Sequence, residues 1–114
     1  MLPGTGIESE LARKIVRLFI EQTTNLLATI TSASAAGDAQ SVRGAAHMLK
    51  SSAASVGAAA VSVAAVELEA VAREGEAQSI AAHCAHLRRE YERFCHDPAI
   101  ETLLAVAPAG KPAA

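Results

Sequence analysis

The chain has 114 residues, enough for one domain with its own core and no disulfide or metal staple. Half of the residues are apolar, aromatics make up 3%, and the formal net charge is −2, so no overall field draws in nucleic acid or an acidic membrane. β-Branched and aromatic residues are too sparse, and alternating runs too rare, for a convincing strand, which makes the expected class all-α.

The longest apolar run, Val56 to Val66, is interrupted by Ser62 and ended by Glu67, too short to enter and cross a bilayer. Met1 to Gly6 lacks the basic and apolar regions of a signal peptide. A soluble, cytoplasmic domain over residues 7–106 is expected, with flexible termini at 1–6 and 107–114.

Ile7, Leu11, Ile15, Leu18, Phe19, Leu26 and Ile30 recur at three- and four-residue intervals and predict a first helix from Ile7 to about Ser34. That pattern turns Glu10, Arg13, Arg17 and Glu21 outward. Gly37 closes the helix and Asp38 is the expected N-cap of the next. The second helix runs from Ala39 to about Val56 on an apolar stripe of Val42, Ala45, Leu49, Ala53 and Val56, with Gly57 as its stop.

The third, Ala58 to Glu74, places Val61, Ala65, Leu68 and Ala72 on one face. Val63, Val66 and Ala70 lie beside them, so two helical neighbours are expected. After Gly75 a fourth helix, Glu76 to about His96, carries the stripe Ile80, Cys84, Leu87, Tyr91 and Phe94. Asp97-Pro98 then starts a short terminal helix to about Val106. Four amphipathic helices joined by short loops predict an up-down-up-down bundle with a short extra C-terminal helix. A self-sufficient core of this size predicts a monomer, with a weak dimer through the Ala-rich surface of the third helix as the alternative.

Cys84 and Cys95 fall in one helix, roughly 16 Å apart along its axis, too far for a disulfide; buried thiols are expected. His83, His86 and Glu90 lie three and four residues apart on the same helix, but a solvated polar face explains them better than a metal site, which needs three or four convergent ligands. A structural role at a helix end suffices for His96.

The second helix holds the candidate chemistry. At about 100° per residue, His47 lies about 160° from both Leu49 and Ala45, opposite the core stripe. Gln40, Arg43, Gly44, Lys50, Ser51 and Ala54 fall within about 60° of it. With no carboxylate expected nearby, the ring should be largely neutral at neutral pH and offer one free lone pair. Lys50 could neutralise a phosphoryl group attacked by that lone pair, and small neighbours would let another protein approach. By spacing alone, though, an exposed histidine followed by a lysine is ordinary helix surface.

Ala46-His47-Met48-Leu49-Lys50-Ser51-Ser52-Ala53-Ala54-Ser55-Val56-Gly57-Ala58 closely resembles the signature of histidine-containing phosphotransfer (HPt) domains, A-H-x-L-K-(G/S)-S-(A/S)-x-x-(L/V)-G-A. Leu18-Phe19-Ile20-Glu21, Gly37-Asp38 and Leu68-Glu69 extend the resemblance over roughly residues 7–96. It implies a four-helix bundle in which His47 is the phospho-acceptor, Lys50 its electrostatic partner and Gly57 a structural helix stop. Ser51 stands where the family often has glycine. The partners implied are receiver domains of a hybrid kinase and of response regulators, with Mg²⁺ supplied in the receiver and no cofactor held by this domain. Such a domain either stands alone or closes a hybrid sensor kinase. Docking roles for Gln40, Arg43, Gly44, Ser51 and Ala54 follow from their spacing around His47.

Two other readings stay open at this point. The dimerising helix pair of a sensor histidine kinase carries an acidic residue directly after its histidine and a proline soon after; here Met48 and Leu49 follow, with no proline until Pro98. A helical adaptor without phosphoryl chemistry is the other. No G-x-x-x-x-G-K-(S/T) loop is present, so autonomous phosphorylation from ATP is not expected.

Overall fold

The computed structural model describes residues 6–105, with side chains from residue 10 onward. Five helices follow in order: α1 (Gly6–Ala35), α2 (Ala39–Ser55), α3 (Ala59–Glu74), α4 (Ala77–Cys95) and α5 (Pro98–Ala105). Among the described residues there is no strand. The flexible termini expected at 1–6 and 107–114, and a terminal helix reaching Val106, lie outside the described residues, apart from Gly6, which opens α1.

Each of α1 to α4 packs against the next, and α4 returns to α1, which closes an antiparallel bundle with α5 laid on its α1–α4 side. The turns explain the topology. At the end of α2, Gly57 takes a left-handed φ of +78°, which a residue with a Cβ adopts only under strain. Its N–H donates to the Ala54 carbonyl at 3.2 Å, and the Ala58 N–H donates to the Ala53 carbonyl at 2.8 Å. That pair of bonds satisfies the carbonyls a helix end leaves open and sends the chain back along α2.

α2 itself starts on Asp38, whose carboxylate accepts from the Ser41 N–H at 3.1 Å and from the Ser41 hydroxyl at 2.6 Å. These bonds favour the ionised form and hold the Asp38 pKa below its ordinary value.

The core is aliphatic and small. Ile30, Val42, Leu49, Val61, Leu68 and Leu87 are each at most 1% exposed, and Ala46, Ala53, Ala64 and Ala65 fill the spaces between them. Alanine on facing sides lets α2 and α3 approach closely, and full burial of each leucine contributes roughly 2 kcal/mol. Tyr91 and Phe94 add edge-to-face contacts with Phe19, at ring centroid distances of 6.3 and 5.3 Å.

The apolar stripe of α1 departs from expectation. Leu11, Ile15 and Leu18 are 55%, 43% and 55% exposed, while Arg13, read as outward, is buried. The face is the reason: the buried line of α1 runs through Val16, Phe19, Thr23, Leu27 and Ile30, whereas Leu11, Ile15 and Leu18 lie on another line, which Gln22 and Asn25 continue, also exposed. α1 also overhangs the shorter α2 at its start, 30 residues against 17. There the helix packs through another side: Arg17, also read as outward, is half-buried and donates from Nη2 to the Leu104 carbonyl of α5 at 3.3 Å. Arg13 lies one turn earlier on that side.

On α3 the face of Val61, Ala65, Leu68 and Ala72 is buried as expected, but Val63, Val66 and Ala70 face solvent. Both neighbours are met by the first face, which Ala64 widens. Cys84 and Cys95 are free thiols and half-buried rather than buried. No described helix is long and apolar enough to cross a membrane.

Candidate functional site

His47 projects from the middle of α2, its side chain 60% exposed. Directly beneath the same turn, Ala46 and Leu49 are fully buried. The helix period thus sets one side of this stretch in the core and the other in solvent. Gln40, Arg43, Gly44, Ser51 and Ala54 are all exposed around the ring, as their spacing implies.

One expectation fails. His47 does have a carboxylate beside it: Glu69 Oε2, from α3, lies 2.9 Å from His47 Nδ1. Glu69 is otherwise well covered, its side chain 13% exposed. Lys50 Nζ lies 3.4 Å from Glu69 Oε1 and 3.4 Å from His47 Nδ1, and Arg73 Nη2 stands 3.9 Å from Glu69 Oε2. The Ser62 hydroxyl donates to the Lys50 carbonyl at 3.0 Å and ties the two helices together one turn away.

The short contact determines where the ring proton lies. The hydrogen bond from His47, with Lys50 in support, holds the Glu69 pKa below its ordinary value, so the carboxylate is ionised near neutral pH and can only accept. A 2.9 Å contact with an acceptor requires a proton on Nδ1. Lys50, longer by half an ångström, then points to Glu69 rather than to a ring lone pair. In the neutral ring, Nε2 is left unprotonated and turned to solvent.

In the sequence, Glu69 carries only the Leu68-Glu69 part of the resemblance and nothing there assigns it to the site. A usable signal existed. α2 and α3 form a hairpin folded at Gly57, so residues ten to twelve positions either side of it lie at the same height. Arg73 follows Glu69 by four residues on the same face.

Apolar side chains flank the charged group. Val66, 45% exposed, is one turn before Glu69 on α3, and Met48, 60% exposed, lies on the opposite flank of His47. Gly44 has open space where a side chain would begin: a Cβ built there meets nothing within 4 Å. Nothing inside the fold requires this mid-helix glycine.

On α4, His83 and His86 are half-buried, and His83 Nδ1 lies 2.8 Å from the Ser79 carbonyl of its own helix. Among the described residues no three His, Cys, Asp or Glu side chains converge as a metal site would require. His96 Nδ1 lies 3.3 Å from Glu101 across the α4–α5 turn.

An antiparallel helical bundle whose second helix presents a histidine backed by a carboxylate and a lysine defines a class of surface histidine centres. The family model described as "Hpt domain" matches residues 14–97. The chain belongs to the Hpt domain family, which implies histidine phosphotransfer in two-component signalling. No curated protein and no solved structure gives a significant match to the chain.

Proposed function

We propose that the domain is a phosphorelay intermediate in which His47 accepts a phosphoryl group from the aspartate of one receiver domain. It then passes the group to the aspartate of a response regulator. The observation that carries this reading is the 2.9 Å contact of His47 Nδ1 with Glu69, which leaves Nε2 as the outward nucleophile.

The step balances without a separate base. The Nε2 lone pair forms a bond to phosphorus as the bond from phosphorus to the receiver's carboxylate oxygen breaks. The carboxylate leaves with the electron pair. The product ring carries phosphate on Nε2, keeps its proton on Nδ1 and holds a positive charge that the Glu69 carboxylate stabilises. Lys50 stands at the edge of the ring, where its ammonium opposes the negative charge on the phosphoryl oxygens. The reverse step expels a neutral imidazole.

Mg²⁺ and the acidic pocket belong to the receiver in this reading, and no cofactor is held by the domain. Gln40, Arg43, Gly44, Ser51 and Ala54 on α2 form the floor on which the receiver docks. Val66 and Met48 supply apolar margins, and Gly44 keeps the approach low.

The test is incubation with a phosphorylated receiver domain. Acid-labile, base-stable phosphate should appear on His47. His47→Gln should abolish uptake with the helical circular dichroism unchanged; uptake that persists in this variant overturns the assignment.

A further inference from the structure

The first half of α1 carries an apolar stripe that stands about half exposed among the described residues. Leu11, Ile15 and Leu18 are 55%, 43% and 55% exposed, and Gln22 and Asn25 continue the line, also exposed. Their spacing of four, three, four and three is the heptad seam along which two helices interlock. Along the solvent edge of that seam run Lys14 and Glu21, seven residues apart, both exposed and of opposite charge. Its other edge is Phe19, buried in the core.

We infer that this overhang is a self-association surface, on which two copies of the chain pair antiparallel along residues 11–22 about a two-fold axis. In that arrangement Ile15 of one copy packs on Leu18 of the other, and Leu11 packs on Gln22. Lys14 of each copy then meets Glu21 of the other, twice by symmetry. A two-fold interface requires the patch to be complementary to itself, and a stripe whose lysine and glutamate exchange places under the axis meets that requirement. A parallel pair does not: it sets the outer charges of one helix opposite the inner edge of the other, which Phe19 occupies inside its own core.

The contact is short and exposed at its rim, so the dimer is weak, with a dissociation constant on the order of tens of micromolar. It replaces the monomer expected from the closed core. His47 lies on α2, outside the paired stripe of α1.

Sedimentation equilibrium on the 114-residue chain, from about 1 μM to 1 mM, tests the proposal. A concentration-dependent monomer–dimer equilibrium is expected. Leu18→Glu should leave a monomer throughout with an unchanged circular dichroism spectrum, since the side chain is exposed. Lys14→Glu and Glu21→Lys should each weaken association about tenfold, because each sets two like-charged pairs across the axis. The double variant Lys14→Glu/Glu21→Lys should restore association to within about threefold. A wild-type chain that is monomeric at 1 mM overturns the proposal, and so does a double variant no tighter than either single one.

Discussion

Glu69 Oε2 lies 2.9 Å from His47 Nδ1 across the seam between α3 and α2, so the proton on the ring is positioned by a helix other than the one carrying the ring. Glu69→Ala should lower the rate of phosphoryl acceptance by about tenfold to a hundredfold, and ¹⁵N chemical shifts of the ring should show mixed tautomers in place of one. Glu69→Gln keeps an acceptor but loses the charge, so it should keep the tautomer and lose part of the rate. A Glu69→Ala variant with a wild-type tautomer ratio would count against this role.

Lys50 is 34% exposed and reaches Glu69 Oε1 at 3.4 Å. Lys50→Ala should slow transfer about tenfold while changing the receiver's affinity little, because the ammonium acts on charge developing at phosphorus. Stopped-flow transfer rates and a separate binding titration distinguish the two effects. An unchanged rate would exclude the role.

Gly44 separates stability from docking. A Cβ there meets nothing, so Gly44→Ala should raise stability by roughly 0.5–1 kcal/mol, or about 4 °C in Tm, by improving the helix. Gly44→Arg should preserve most of that stability yet raise KM for the phosphorylated receiver, since it fills the floor beside His47. Thermal melts and transfer kinetics on both variants check the pair.

Leu49 is fully buried directly beneath the site. Leu49→Ala should cost about 2–5 kcal/mol through lost burial and the cavity left behind, lowering the urea midpoint while the chemistry of His47 stays intact in the folded fraction. A loss under 1 kcal/mol would mean that the core collapses to fill the gap.

The pH dependence has a definite sign. The carboxyls of Asp38 and Glu69 both have folded-state pKa values below ordinary, Asp38 through Ser41 and Glu69 through His47. A depressed carboxyl pKa adds stability above the unfolded value, and that stability is lost as pH falls through the folded value. Denaturant midpoints should therefore fall below about pH 4. Asp38→Asn and Glu69→Gln should each flatten that fall. An equally steep fall in both variants would assign the acid sensitivity elsewhere.

Much of the bundle was legible in the sequence because helix ends are chemical events. Gly37, Asp38, Gly57, Gly75 and Asp97 place four turns within a residue or two of where they stand. His47 on the solvent face and Leu49 in the core follow from the same period. What periodicity does not reveal is which of two neighbouring lines on a long helix meets the core. Leu11, Ile15 and Leu18 repeat as a core stripe should, yet the buried line of α1 runs through Val16, Phe19, Thr23, Leu27 and Ile30. Arg13 is the complementary error, since a charged residue on the α5 side of a long helix has the spacing of a surface one. Glu69 was hidden for another reason: a contact between helices depends on where the hairpin folds and on the rotation of both partners, and each uncertainty moves the carboxylate by several ångströms.

That hairpin has a consequence for how the domain assembles. His47, Lys50 and Glu69 all lie on α2 and α3, separated by at most 22 residues and joined by the tight turn at Gly57. Contacts between residues so near in the chain close quickly, because little loop entropy is lost in forming them. The group around His47 therefore assembles within one hairpin, and α1 and α4 contribute none of its side chains.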